Sequence, residues 1–243
     1  MSNLFFIVAI IFAPVFATPQ QDASLAKADQ LFADRDNLDS LKHAAQITEQ
    51  VAAREQSNFE AQWRLAKFRY YLADRESDKR KKSKLLEAGI EAAKRAIALN
   101  PKRAEGHFWF AANAGEYTDL QGGISALGYV KTIRKEFEAA LAVDPSYENG
   151  AIYLALGEID LNLPGLFGGN DKRGLERLEA GLKIAPNNAE LKIAIAQVYS
   201  KKDKREEAKK LLKSVLESND TARSRLEQEE LRTKVRRLLD SMK

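Results

Sequence analysis

The 243-residue chain has no cysteine at all, which excludes disulfides, thiolate metal sites, cysteine nucleophiles and a lipid-modified N-terminal cysteine. Its two histidines, His43 and His107, are too few for a multi-histidine metal centre. Proline is scarce, six residues in all, and none interrupts a segment with strong helical patterning. Neither charge sign dominates. A formal net charge of +4 from 39 basic and 35 acidic residues is too small to imply nucleic acid. What remains, 44% apolar and 30% charged residues, excludes both a disordered chain and a membrane bundle.

One apolar run stands apart. Leu4 to Phe16, broken only by Pro14, is too short to span a hydrocarbon core of about 30 Å at about 1.5 Å per helical residue. It suits the apolar region of a secretory signal, although no Lys or Arg precedes it. Val15-Phe16-Ala17 sets the expectation of cleavage after Ala17, giving a signal peptide over 1–17 and a mature chain over 18–243. A buried N-terminal helix or an uncleaved anchor is the competing reading. Export without cysteine fits a bacterial periplasm better than a eukaryotic secretory route, and the Asn219-Asp220-Thr221 sequon is then a chance match.

The prolines that lie past the leader punctuate a repeat. Ala-Leu-Asn-Pro ends at Pro101, Ala-Val-Asp-Pro at Pro145 and Lys-Ile-Ala-Pro at Pro186, with spacings of 44 and 41 residues. From Pro186 to the matching Asp220 is 34 residues. Within that last unit Leu191, Ile195, Val198 and Tyr199 form one apolar helix face, and Ala208, Leu211, Leu212, Val215 and Leu216 form a second. A short polar turn, Lys201 to Lys204, joins them.

This pattern resembles the tetratricopeptide repeat, in which two antiparallel helices, A and B, meet through small residues flanked by bulky ones. Ile195, Ala196 and Tyr199 match helix A, and Ala208, Leu212 and Val215 match helix B. Counting back from the prolines gives Leu65 and Ala66 with Gly89, Ala93 and Ala96; Phe110 and Ala111 with Ile133, Phe137 and Ala140; and Leu156 and Gly157 with Gly174, Leu178 and Gly181. The resemblance implies an all-α solenoid of antiparallel helix pairs. Its expected parts are a degenerate pair over 21–56, repeats over about 58–101, 104–145, 148–186 and 189–220, and a C-terminal capping helix over 222–241. Insertions fall at Lys79-Arg80-Lys81-Lys82, at Gln121-Gly122-Gly123-Ile124 and at Leu163 to Asp171.

The segment His107-Phe108-Trp109-Phe110-Ala111-Ala112-Asn113-Ala114-Gly115-Glu116-Tyr117, the helix Ile133 to Leu141 and the loop Leu163-Pro164-Gly165-Leu166-Phe167-Gly168-Gly169 together resemble the TatT family. These are tetratricopeptide T-components of tripartite ATP-independent periplasmic (TRAP) transporters and their free-standing relatives. The similarity runs from about residue 45 to 218, and it implies a protein partner, namely a periplasmic solute-binding protein. T-components are commonly lipoproteins, whereas this chain has no cysteine to carry a lipid. A weaker likeness exists to the eukaryotic regulator of microtubule dynamics family, which shares this repeat variant.

Catalytic chemistry finds little support. The glycines at 165 to 169 lack the Gly-Lys-Ser/Thr ending and the feeding strand of a phosphate loop. The basic run from Lys79 to Lys84 has no interleaved aromatics for base stacking, so a solvated helix start or loop explains it. His107 sits among aromatics with no base–nucleophile–orienter arrangement, and the abundant carboxylates show no paired-acid motif. No enzyme activity, cofactor or metal is expected, and the solenoid reading leaves binding. On the A helices the candidate binding residues are Trp63, Lys67, Tyr70, Phe108, Trp109, Asn113, Glu116, Tyr153 and Glu158, aromatics with polar neighbours as in interface hot spots and pockets. Two readings of that face compete: a protein-interaction surface, or an aromatic groove carrying an apolar small molecule. A third is that both tryptophans merely fill volume between repeats.

Overall fold

A computed structural model describes residues 19–122, 124–218 and 223–242. The leader, its cleavage site, and the sequon with Asp220 lie outside the described residues. The described chain forms eleven α-helices. The first pair is α1 (Pro19–Ala33) and α2 (Leu38–Arg54), followed by α3 (Phe59–Asp74) and α4 (Lys79–Leu99), then α5 (Ala104–Gln121) and α6 (Ile124–Val143). After them come α7 (Ala151–Asn162) and α8 (Asp171–Ile184), α9 (Ala189–Lys201) and α10 (Arg205–Glu217), and finally α11 (Arg225–Asp240). Among the described residues there is no strand, and no helix is long and apolar enough to cross a membrane. The architecture is an all-α solenoid.

Local chemistry sets the helix boundaries. Asn37, Asn58, Asn170 and Asn188 each cap a helix by accepting a backbone N–H inside the first turn, which satisfies one of the donors a helix start leaves unpaired. Asp78 does the same for α4. The basic run Lys79–Lys82 is therefore the first turn of α4, and the insertion there lengthens a helix. Pro101, Pro145 and Pro186 each stand two residues past the end of α4, α6 and α8, where a residue without an N–H cannot continue the ladder.

Helices of a pair approach through small residues. A Cβ on Gly157 of α7 would lie 3.1 Å from the Gly174 carbonyl oxygen, and one on Gly174 of α8 would lie 3.0 Å from that of Gly157. The two backbones touch, which only glycine at both positions allows. Ala196 and Ala208 do the same work between α9 and α10, both fully buried. Successive apolar clusters, centred on Phe108 and Phe110, on Leu178 and Ile195, and on Leu212 and Val235, link the stack from end to end.

The solenoid curves back upon itself. Between α1 and α2, the Arg35 guanidinium donates to both carboxylate oxygens of Glu227 in the first turn of α11, at 2.7 and 2.6 Å. Beside it the Leu226 N–H donates to Asp36 at 3.2 Å, while Ser224 and Glu227 form a reciprocal capping box. Residues 192 positions apart in sequence thus close the concave face.

Candidate functional site on the concave face

The A helices α3, α5, α7 and α9 contribute to one central cavity of about 400 Å³. Tyr70, Tyr71, Phe108 and Trp109 form its aromatic wall, and Arg35, Glu148, Glu190, Arg223 and Glu227 its charged rim. The wall is a continuous ring-on-ring assembly: Trp109 lies 5.7 Å from Tyr70, 6.1 Å from Tyr71 and 4.9 Å from Phe108, ring centre to ring centre. The Trp109 indole N–H donates to the Tyr147 hydroxyl at 3.0 Å, so its polar atom is satisfied and the ring is fixed. Burial, with the carboxylate of Glu116 nearby, pushes the Tyr70 hydroxyl up to about 12, and burial raises Tyr71 as well. Both phenols are neutral donors at physiological pH.

A second cavity of about 430 Å³ adjoins the first and shares Tyr70, Phe108, Ala112, Ala151 and Leu154 with it. It exists because α5 and α7 scarcely touch, whereas α3 packs along α5 and α7 along α9. The chain enters α7 through three successive left-handed residues, Glu148 (φ 47°), Asn149 (φ 54°) and Gly150 (φ 82°), two of them strained for non-glycine residues. Lys67 holds this turn through Glu148 at 2.9 Å, and the Asn188 side-chain amide donates to the Asn149 carbonyl at 2.7 Å. The displaced α7 leaves a gap floored by Ile133 and Phe137 of α6.

The nine expected site residues divide accordingly. Tyr70, Phe108 and Trp109 line the central cavity, and Tyr70, Phe108, Glu116 and Glu158 line the second. Lys67 stands beside the aromatic wall with its ammonium over the Phe32 and Trp109 rings, already paired to Glu148. Three lie elsewhere. Trp63, on the same face of α3 as Lys67 and Tyr70 but nearer the helix start, donates to Glu60 at 2.8 Å and lies under the Arg64 guanidinium, outside both cavities. Asn113 is fully buried against α3 and α4, donating to the Ala66 and Trp109 carbonyls at 3.1 and 2.7 Å. Tyr153 packs beside Gly181 in the α7–α8 core. The rim residues Arg35, Glu190, Arg223 and Glu227 were not foreseen, since nothing in the sequence marks a pairing between the first and last turns.

The inserted loop between α7 and α8 presents its apolar residues outward. Leu166 is 90% exposed and Phe167 50%, so they do not fold back over the solenoid. The loop is nonetheless tied down: Arg173 and Arg134 both donate to the Gly168 carbonyl, at 2.7 and 3.3 Å.

Closure of the ring by polar contacts makes it sensitive to salt. The apolar side chains of α11 pack on α9 and α10, so the far end rests on Arg35, Asp36 and Ser224. Replacing Arg35 with alanine is expected to free that end, costing about 1–3 kcal/mol for charge-assisted hydrogen bonds. The absence of native cysteine allows spin labels at Asp39→Cys and Glu230→Cys alone. Their distance distribution should broaden in Arg35→Ala, and in the otherwise native pair at about 1 M salt, where screening acts within about 3 Å. Identical narrow distributions in all three cases would mean that the latch does not hold the ring.

Two family models match the chain: Regulator of microtubule dynamics protein 1-3 over residues 24–157, and a tetratricopeptide repeat model over residues 172–228. Neither is a catalytic family. No curated protein matches by sequence. Among solved structures, a thermophilic tetratricopeptide-repeat protein from Thermus thermophilus is 19% identical with a TM-score of 0.65, covering 88% of this chain and 98% of that one. MamA from Desulfovibrio magneticus RS-1 is 14% identical with a TM-score of 0.55, covering 82% and 95%. These two share the fold. The first match spans more than half of the sequence, from α1 into α7, so the chain belongs to the regulator of microtubule dynamics protein 1-3 family and is built of tetratricopeptide repeats.

Proposed function

We propose that the protein is a non-enzymatic interaction module that takes a segment of a partner protein into its concave face. The observation that carries this reading is the pair of adjoining cavities, where a fixed aromatic wall meets a charged rim on the side the A helices share. Rigid aromatics beside polar groups are the composition of interface hot spots. The apolar leader and the likeness to T-components extend the proposal to export, a periplasmic location and a solute-binding protein as partner. An N-terminal sequence of the secreted protein starting before Thr18 would sink the leader part.

Ala112 borders both cavities, which makes it the position for a test. A photo-crosslinking amino acid at Ala112 is expected to capture the partner, whereas one at the exposed Lys213 on α10 is not. Equal capture from both positions, or none from Ala112, rejects the concave face as the site. A carrier role for an apolar small molecule is favoured by one specific feature, the gap over Ile133 and Phe137, whose volume falls in the range of ligand pockets. A lipophile co-purifying in equal amount with the protein, seen by native mass spectrometry and lost in Ala155→Leu, would favour it over the module.

A further inference from the structure

We propose that the segment taken into the gap between α5 and α7 is short, extended and basic at one end, with apolar side chains following its cations. This rests on the reading of the concave face as a partner site and adds the chemistry of what enters.

The gap is apolar along most of its length and acidic at one end. On the apolar part, Phe108, Ile133, Phe137 and Leu154 face one another. At the other end stand Glu116 and Asp119 in the last turns of α5, and Glu158 near the end of α7. Lys82 neutralises Glu116 at 2.5 Å. Asp119 and Glu158 make no hydrogen bond or ion pair among the described residues, and Lys234 of α11 acts on Glu158 only from beyond ion-pair distance. Both residues are exposed to solvent, and partial desolvation together with nearby carboxylates raises both carboxyls from their ordinary values. Neither is in hydrogen-bond or ion-pair contact with a cation among the described residues.

The backbone adds to this potential. Both helices end at this side of the gap, and neither has a basic residue in its last turn, so the negative ends of two helix dipoles stay uncompensated. A protein of net charge +4 thus carries a locally acidic groove, and charge complementarity names the occupant. Its length follows from the helices. Phe108 to Asp119 on α5, and Ala151 to Asn162 on α7, each cover about 16 Å at about 1.5 Å per residue. An extended chain of about five residues at about 3.3 Å each spans that distance.

The test uses the described protein and defined peptides. A fluorescein-labelled peptide of two lysines followed by leucine, phenylalanine and leucine is titrated by anisotropy, beside a twin with two glutamates in place of the lysines. The basic peptide is expected to bind saturably, its acidic twin at least about tenfold more weakly, and the difference should shrink as salt is raised. The double variant Asp119→Asn, Glu158→Gln should lose at least about tenfold for the basic peptide alone. Ala155→Leu, which fills the gap, should abolish binding, with circular dichroism confirming that each variant is folded. If the double variant binds the basic peptide as well as the parent does, or the twins bind alike, the charge assignment is wrong. The groove reading survives that result when Ala155→Leu still blocks binding. If neither peptide binds, or Ala155→Leu has no effect, the gap is not the site, and crosslinking from Ala112 decides the concave face independently.

Discussion

Replacing Asp160 with alanine is expected to lower stability by about 3 kcal/mol, with the α7–α8 pair opening first. The Asp160 side chain is fully buried, and three arginines converge on it: Arg134 at 2.6 Å, Arg173 at 2.6 and 2.8 Å, and Arg177 at 3.3 Å. Removing one partner from a buried charge cluster typically costs about 3–5 kcal/mol, because the charges left behind lose their counter-ion. The lower figure applies here, since the Arg173 side chain is 43% exposed and water screens part of the repulsion. The effect reaches the inserted loop as well. Arg173 and Arg134 carry the Gly168 carbonyl, and the Asn170 N–H donates to the Asp160 carbonyl at 2.7 Å. Urea denaturation measures the loss, and amide exchange should show it concentrated between residues 160 and 181.

The same cluster sets an acid limit. Burial works against the Asp160 carboxylate, but hydrogen bonds from Arg173 and Arg134 and the charge of Arg177 outweigh it, holding the group below its ordinary range. Glu227 is depressed in the same way, with burial opposed by Arg35. A depressed carboxyl contributes stability that is complete above its unfolded value and is lost as pH falls through the folded one. The wild type should therefore hold a plateau above about pH 5 and lose stability below about pH 4. Asp160→Ala should show a shallower acid slope, and a slope equal to the parent's would assign the acid sensitivity to other carboxylates.

Much of the scaffold was legible because its determinants are local. Pro101, Pro145 and Pro186 end helices by chemistry that each residue carries alone, and the paired glycines at 157 and 174 announce a close approach wherever they sit. The site was legible only in part. Tyr70, Phe108 and Glu158 are on A helices and face inward, which the repeat register conveys. Trp63 and Tyr153 are on A helices too, yet neither lines a cavity: Trp63 stands two turns before Tyr70 on the same face of α3, and Tyr153 packs into the α7–α8 core, because which part of a face ends up in the hollow depends on small rotations summed over all the repeats. That same sum brings Arg35 to Glu227, and no window of sequence contains both. The left-handed turn at Glu148 and Asn149, neither of them glycine, hid the displacement of α7 and with it the gap.

Gly89→Ala is the second substitution expected to have a large effect, about 2–3 kcal/mol, although alanine is the better helix former by about 1 kcal/mol. A Cβ at Gly89 would stand 2.1 Å from the Asn113 side-chain oxygen and 2.6 Å from its Cγ. Asn113 cannot simply swing aside, because its amide donates to carbonyls on α3 and α5. Overpacking of this kind costs about 1–3 kcal/mol, and breaking the amide's bonds adds about 1 kcal/mol. Asn113→Ala removes the obstacle, so the double variant should be no less stable than Asn113→Ala alone. A thermodynamic cycle from urea denaturation reads this as a coupling of about 2 kcal/mol. Strict additivity would show that Gly89 and Asn113 do not meet. The cycle also settles what Asn113 is for. If it is a packing residue wedged between α3, α4 and α5, the double variant should bind the basic peptide with the parent's affinity, since the gap between α5 and α7 is untouched. A loss of binding in that well-folded variant would return Asn113 to the binding surface that its place on an A helix first suggested.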